Sequence, residues 1–163
     1  HSAKQKELYM KKVEILGEFM GSYKENSYFD KRTNKTYYTI RGNSKSHNIF
    51  NNIYNTLYIN NIKTITQEYL DMIDHPIALA YWFMDDGCYE GILATNGFTE
   101  NEVDLLKLWL KEKWNIDTIK KEYKKYFTLK ITKESRPSFD KLISPYIIPS
   151  MQYKLKYIFT LSV

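Results

Sequence analysis

An α+β fold is predicted for this chain of 163 residues by three patterns. Apolar side chains recur at helical spacing in several segments, two stretches of alternating residues double back across a turn, and the run Ile77 to Met84 is apolar on every side. The order helix, basic hairpin, helix occurs twice, a repeated plan with no low-complexity tract.

Residues 3–20 carry apolar groups at 8, 9, 13, 15, 16, 19 and 20, a helix that Gly21 would end. Ser27 to Asp30 and Tyr37 to Arg41 flank Lys31-Arg32-Thr33-Asn34-Lys35 and read as a hairpin. In its second strand Tyr37, Thr39 and Arg41 share one face, and Tyr38 and Ile40 the other. Ser44 or Ser46 caps a helix to about Tyr58, with Ile49, Phe50, Ile53 and Leu57 inward. After a short connection through Asn60 to Lys63, Thr66 caps Gln67 to Ile73, and His75-Pro76 stops the chain before the next element. Pro76 then starts the helix of Ile77 to Met84, whose apolarity predicts burial all round, and which ends abruptly in Asp85-Asp86-Gly87.

Cys88 to Thr95 forms a tight two-strand segment turning near Glu90-Gly91. Thr99 with Glu102 makes a capping box that opens a helix through Trp114. Ile116 to Glu122 and Tyr126 to Lys133 form the second hairpin, with Phe127, Leu129 and Ile131 on one face and Tyr126, Thr128, Lys130 and Thr132 on the other. Pro137 suits the first turn of a last helix with Phe139, Leu142 and Ile143 inward, and a tail follows through Lys154.

Composition narrows the function. Hydrophobic residues at 43% and charged residues at 26% exclude intrinsic disorder, and the longest uncharged apolar run falls far short of the roughly 20 residues that span a bilayer. Cys88 is the sole cysteine, so neither an intrachain disulfide nor a cysteine-based zinc site can form, and a reducing intracellular compartment is expected. The chain opens on His1 without a signal peptide, as an excised fragment would. A net charge of +5 points to a polyanion, and it is concentrated. Lys111 to Arg136 holds nine basic residues against four acidic ones, and Lys31 to Lys45 holds five basic residues and no acid. Either run alone reads equally well as a solvated face; two of them favour nucleic acid.

Two adjacent carboxylates at the carboxyl end of an apolar helix oppose the helix dipole, by a few tenths of a kcal/mol or more. A hard divalent cation reverses that sign, and Mg²⁺ takes carboxylate and carbonyl oxygens while keeping several waters. A solvated helix end is the plainer reading of composition alone.

Leu79-Ala80-Tyr81-Trp82-Phe83-Met84-Asp85-Asp86-Gly87 resembles the LAGLIDADG motif of homing endonucleases, in the variant form of intron-encoded two-motif enzymes of organelles and their bacterial and phage relatives. The likeness covers nearly the whole chain. His1-Ser2 with Lys4-Gln5-Lys6-Glu7 resembles the helix after the first hairpin, Asn61-Ile62-Lys63-Thr64-Ile65 resembles a Lys-Thr-Ile-Pro turn, and Pro145-Tyr146-Ile147-Ile148-Pro149 with Tyr153-Lys154-Leu155 resembles the C-terminal signature.

The resemblance implies αββαββα half-domains with antiparallel saddle-shaped sheets, the first half (residues 1–76) incomplete and the second (77–163) with the intact motif. It implies a Mg²⁺-dependent, sequence-specific double-strand DNA endonuclease with Asp86, Lys63 and Lys154 catalytic and Asp86 and Gly87 at the metal. DNA contacts are expected from Arg32, Tyr37, Thr39, Arg41, Lys45, Thr95, Asn96, Lys120, Lys121, Thr128, Lys130 and Thr132, since cations hold phosphates and hydroxyls read base edges.

The sequence departs from the two-motif pattern in having one intact copy: the string Ile15-Leu16-Gly17-Glu18-Phe19-Met20-Gly21 resembles a first motif only superficially, with Ser22 where an acid should be. The stretch is expected to belong to the later helix of the first half, with the first motif, its acid and its opening hairpin absent from this chain. A complete centre then requires a second polypeptide, either another copy forming a homodimer or a complementing fragment, joined through the apolar face of the motif helix where Ala80 permits close approach. The short segment after Gly87 trims the expected DNA-reading surface. A catalytically inactive nucleic-acid binder, an intron maturase or a transcription regulator, is the alternative. An unrelated RNA-binding domain would carry an RNP or KH signature, and neither is present.

Overall fold

The computed structural model describes residues 1–157. The chain divides into two compact units, His1–Asn51 and Asn52–Val163, both mixed helix and antiparallel sheet. Among the described residues no helix is long and apolar enough to cross a membrane.

In the first unit α1 (Lys6–Leu16) follows one 3-10 turn at Ala3–Gln5. It ends at Gly17, whose φ of +50° lies in the region that glycine enters without a Cβ penalty. Phe19 and Met20 continue the apolar spacing, which is why the helix was expected to reach residue 20; instead Met20 opens β1 (Met20–Asp30), a strand that begins seven residues before the expected Ser27. Asp30 accepts the amides of Arg32 at 2.8 Å and Thr33 at 3.4 Å, turning the chain into β2 (Lys35–Ser44). The antiparallel register sets Tyr28 opposite Tyr37, Asn26 opposite Thr39 and Lys24 opposite Arg41 on one face, and Tyr23 opposite Gly42 and Glu25 opposite Ile40 on the other. Leu8, Tyr9 and Ile40 are its buried residues, and Tyr9 meets the Tyr23 ring edge-on. Any side chain at Gly42 would strike the Tyr9 hydroxyl.

A 3-10 turn at Asn48–Phe50 leads into α2 (Asn51–Leu57). Its cap is His47, whose Nδ1 accepts the Ile49 amide at 3.1 Å, rather than Ser44 or Ser46. Ile49 and Ile53, expected inward, are 54% and 44% exposed. The connection that follows is a hairpin, β3 (Tyr58–Ile59) and β4 (Ile62–Lys63), joined by Asn60 and Asn61 with φ of 52° and 62°. Two successive positive φ values make the primed turn that fits strand twist, and asparagine tolerates them. Thr66 caps α3 (Gln67–Asp71) through the Tyr69 amide.

The motif helix is α4 (Ile77–Asp86). It is not buried all round: Leu79, Ala80, Phe83 and Met84 are enclosed, whereas Ile77 is 38% exposed and Tyr81 and Trp82 are half-buried. Ala80, expected at an open joint, is fully buried. A tight turn through Cys88 and Gly91 leads to β5 (Ile92–Leu93). The Thr99–Glu102 capping box opens α5 (Glu100–Trp114), which ends on Asn115 in the left-handed region. The hairpin of β6 (Thr118–Tyr123) and β7 (Tyr126–Ile131) joins β5 in a sheet of order β5-β7-β6. Pro137 sits in the first turn of α6 (Arg136–Ile143), and 3-10 turns at Ser144–Tyr146 and Pro149–Lys154 complete the unit. Its core joins α4, α5, α6 and the inner sheet face, with Phe83 and Phe139 edge-to-face at 5.2 Å.

Candidate functional site

The carboxyl end of α4 is pinned from two directions. Toward β5, the Asp86 carbonyl accepts the Ala94 amide and the Cys88 amide donates to Ile92, each at 3.0 Å. Gly87 passes so close to the preceding turn that a Cβ would collide with the Phe83 ring and carbonyl, which explains glycine at an ordinary φ of −87°. These constraints leave the Asp86 side chain exposed and Asp85 partly covered.

From the interior, Lys154 reaches the same helix end. Only 7% exposed, its ammonium donates to the Met84 carbonyl at 2.5 Å and stands 3.5 Å from the carbonyls of Phe83 and Asp85. The last carbonyls of a helix lack intrahelical donors, and a lysine there satisfies them and offsets the dipole. Burial lowers the Lys154 pKa, and the charges of Asp85 and Asp86 oppose that fall. Lys63, on β4, is exposed with its ammonium 5.5 Å from the centre of the Phe98 ring. Lys63 and Asp86 line one cleft of about 200 Å³ whose walls include Trp82, Phe98 and Trp109.

Arg136, counted in the sequence as part of a basic run, is instead 4% exposed. Its Nε donates to Asp140 Oδ1 at 2.7 Å, Nη1 to the Tyr89 carbonyl at 2.8 Å and Nη2 to the Lys154 carbonyl at 2.9 Å. Asp140 Oδ2 accepts the amides of Lys156 and Tyr157, both at 3.0 Å. An arginine followed four residues later by an aspartate on one amphipathic helix was the available signal for this pair.

The residues expected at DNA fall into three groups. Tyr37, Thr39 and Arg41 share the β1–β2 face opposite α1, joined there by Tyr28 and by Lys24 and Asn26, the last two of which the shorter predicted strand left out. Tyr28 and Tyr37 stack at 5.5 Å, Arg32 lies in the exposed turn with Nη2 3.6 Å from Asp30, and Lys45 is exposed just past β2. Lys121, Thr128 and Lys130 share the outer face of β6–β7, and Asn96 is exposed in the turn after β5. Lys120, Thr95 and Thr132 stand elsewhere. Lys120 alternates to the inner face, where its ammonium is held at 2.7 Å by both Glu100 and Asp104. Thr95 is buried and donates to the Phe127 carbonyl at 2.8 Å, and the Thr132 hydroxyl accepts the Ser135 amide at the start of α6.

Among the described residues no three His, Cys, Asp or Glu side chains cluster to hold a metal. The Asp86 carboxylate and Gly87 carbonyl are donors of the hard type that Mg²⁺ prefers, and they suit an ion completing its shell with water and phosphate rather than a protein cage.

A profile of the LAGLIDADG DNA endonuclease family matches residues 1–139. The cytochrome b mRNA maturase bI2 of Saccharomyces cerevisiae is 42% identical over 128 residues, 71% of this chain and 30% of the maturase, and its Debaryomyces hansenii namesake is 38% identical over 71% of this chain and 46% of that protein. The chain thus spans less than half of either maturase. The intron-encoded endonuclease ai4 of Dictyostelium discoideum is 45% identical over 94 residues, 55% of this chain and 57% of that protein. Among solved structures, the homing endonuclease I-WcaI bound to its DNA recognition sequence has a TM-score of 0.82 at 26% identity, across 93% of this chain and 72% of that one. An apolar helix delivering one exposed acid at Asp86, set in a profile match across most of the sequence, places the chain in the LAGLIDADG DNA endonuclease family.

Proposed function

We propose that this chain supplies one half of the active site of a Mg²⁺-dependent, sequence-specific double-strand DNA endonuclease of homing type. The observation that carries the reading is the meeting of Asp86 and Lys63 in one cleft at the helix end where Lys154 is buried. Asp86, with the Gly87 carbonyl, would hold the metal. When bound, Mg²⁺ supplies an acidified water and neutralises charge on a scissile phosphate. Lys63, exposed in the cleft that Asp86 also lines, would offset the charge that builds on a phosphate in the transition state. Lys154 is committed to main-chain carbonyls, so its task is to cancel the negative end of the helix that carries Asp86, where a polyanion must approach.

The outer faces carrying Tyr37, Thr39 and Arg41, and Lys121, Thr128 and Lys130, offer the cations and hydroxyls that hold duplex phosphates and base edges. One acid serves one strand, so double-strand cleavage needs a second polypeptide, a copy of this chain or a complementing fragment. The partly open strip of Ile77, Tyr81 and Trp82 on α4 is the surface for it, in place of Ala80.

The resemblance to two maturases favours a second reading, nucleic-acid binding without cleavage. Incubation of the locus flanking the chain's own gene with the protein and Mg²⁺, followed by end mapping, separates them. Cleavage that EDTA and Asp86→Asn abolish, with DNA binding retained in Asp86→Asn, supports the nuclease. Binding without cleavage by the unmodified chain, alone and with its complementing fragment, supports the maturase-like reading.

A further inference from the structure

Lys154 and Arg136 are two buried cations one hydrogen bond apart along the chain: the guanidinium of Arg136 binds the main-chain carbonyl of Lys154, and the ammonium of Lys154 binds the carbonyls that close α4. We propose that Arg136 is the positioning residue of the proposed nuclease site, holding the C-terminal segment so that the Lys154 ammonium meets the carboxyl end of the helix bearing Asp86. The inference rests on the nuclease reading for its consequence and on geometry alone for its cause.

The geometry is that of a planar fork. A guanidinium presents its N–H groups in fixed directions, and here three are spent on three separate parts of the chain: Asp140 on α6, Tyr89 in the turn that leaves the motif, and Lys154. Asp140 extends the hold by accepting the amides of Lys156 and Tyr157, so the segment is gripped at 154 from one partner and at 156 and 157 from the other. The Phe83 ring lies 5.3 Å from the guanidinium carbon, which packs the fork directly against α4. Gly91 completes the arrangement: with φ of +77°, it lies where a Cβ would meet Arg136 Nη1 at 2.5 Å. The turn after the motif is therefore shaped around the guanidinium. A lysine at 136 keeps the charge and can reach one of these partners, not three in fixed directions.

The direction of dependence is testable without activity. Limited reductive methylation with formaldehyde and cyanoborohydride, read by peptide mass spectrometry, reports amine accessibility lysine by lysine. In the unmodified chain Lys154 is expected to be protected and Lys121 labelled. Arg136→Lys is expected to raise Lys154 labelling at least several-fold with Lys121 unchanged and near-UV circular dichroism native. A folded Arg136→Lys in which Lys154 stays as protected as before overturns the proposal. If Arg136→Lys does not fold, Lys154→Met decides it: with Arg136 intact, the Lys156 and Tyr157 amides should keep their slow hydrogen exchange, and loss of that protection would show that Lys154 anchors the segment and overturn it. Given a cleavable DNA, Arg136→Lys should lower kcat with KM for DNA unchanged. Should no DNA be cut by any form of the chain, the nuclease reading falls while the labelling and exchange results still decide the positioning.

Discussion

Lys154 Nζ donates to the Met84 carbonyl at 2.5 Å, which sets a buried cation at the negative end of the helix that carries Asp86. Burial lowers its pKa, with Asp85 and Asp86 opposing, so the folded chain holds this proton less tightly than the unfolded chain does. Below the lowered folded pKa the lysine is protonated in both states, and the folded state bears the cost of burying charge. As pH rises from the lowered folded pKa toward the ordinary 10.5, only the unfolded state keeps the proton, and folding gains stability. Urea denaturation through the alkaline range should therefore show the unmodified chain gaining on Lys154→Met as pH rises. A pH-independent difference between the two would mean that burial leaves this lysine unperturbed.

The Arg136–Asp140 pair predicts a larger effect. Both groups are buried and every donor direction described above is met, so removing one partner strands the other. Asp140→Ala leaves a buried guanidinium without the carboxylate that its Nε binds and frees two amides, and is expected to cost about 3–5 kcal/mol in urea unfolding. Replacing an exposed pair of similar length, Lys111→Ala at Asp117, should change stability by less than about 1 kcal/mol. Equal costs at the two sites would refute the structural weight given to Arg136.

How far these features could be read from residues alone depended on whether the signal was local. The α5 capping box was legible because Thr99 and Glu102 satisfy one another within a single turn. The motif helix was legible as an apolar run, but not its open strip, because which sides are covered depends on distant segments. The early end of α1 turned on the backbone of one glycine, Gly17, against an apolar pattern that kept helical time for three more residues. The β3–β4 hairpin was hidden in an Asn-Asn pair whose positive φ values carry no hydrophobic mark. Arg136 was misread because charge counting along a sequence cannot see a carboxylate and two carbonyls waiting in the interior.

Adjacent lysines on β6 give a direct contrast. Lys121 is on the outer face opposite Thr128, whereas Lys120 is on the inner face between Glu100 and Asp104. If the outer face meets phosphates, Lys121→Ala weakens DNA binding across sequences and lowers the salt slope by about 1, and Lys120→Ala leaves that slope unchanged. Filter binding over a salt series measures both. Matching slopes for the two variants would remove the outer face from the proposed interface.

The last prediction links a helix cap to Lys63. Glu102 Oε2 accepts the Thr99 amide and hydroxyl at 2.7 and 2.6 Å, and its Oε1 reaches across to the Ile65 amide at 2.7 Å, two residues beyond Lys63. Burial opposes ionisation of this carboxyl, but the hydrogen bonds from Thr99 and Ile65 outweigh it and hold the pKa below 4.5. Because the folded pKa is the lower one, the stabilisation is present in full above 4.5 and is lost as pH falls through the folded value. Glu102→Ala should cost about 1–2 kcal/mol at neutral pH, a difference that shrinks in acid as the unmodified chain also loses its carboxylate. Exchange of the Ile65 amide should quicken in the variant more than exchange of amides in the middle of α5, since the carboxylate is the tie that fixes the strand carrying Lys63 to the start of that helix. Uniform quickening along α5 and β4 would mean that the cap only stabilises the helix and does not hold Lys63 in place.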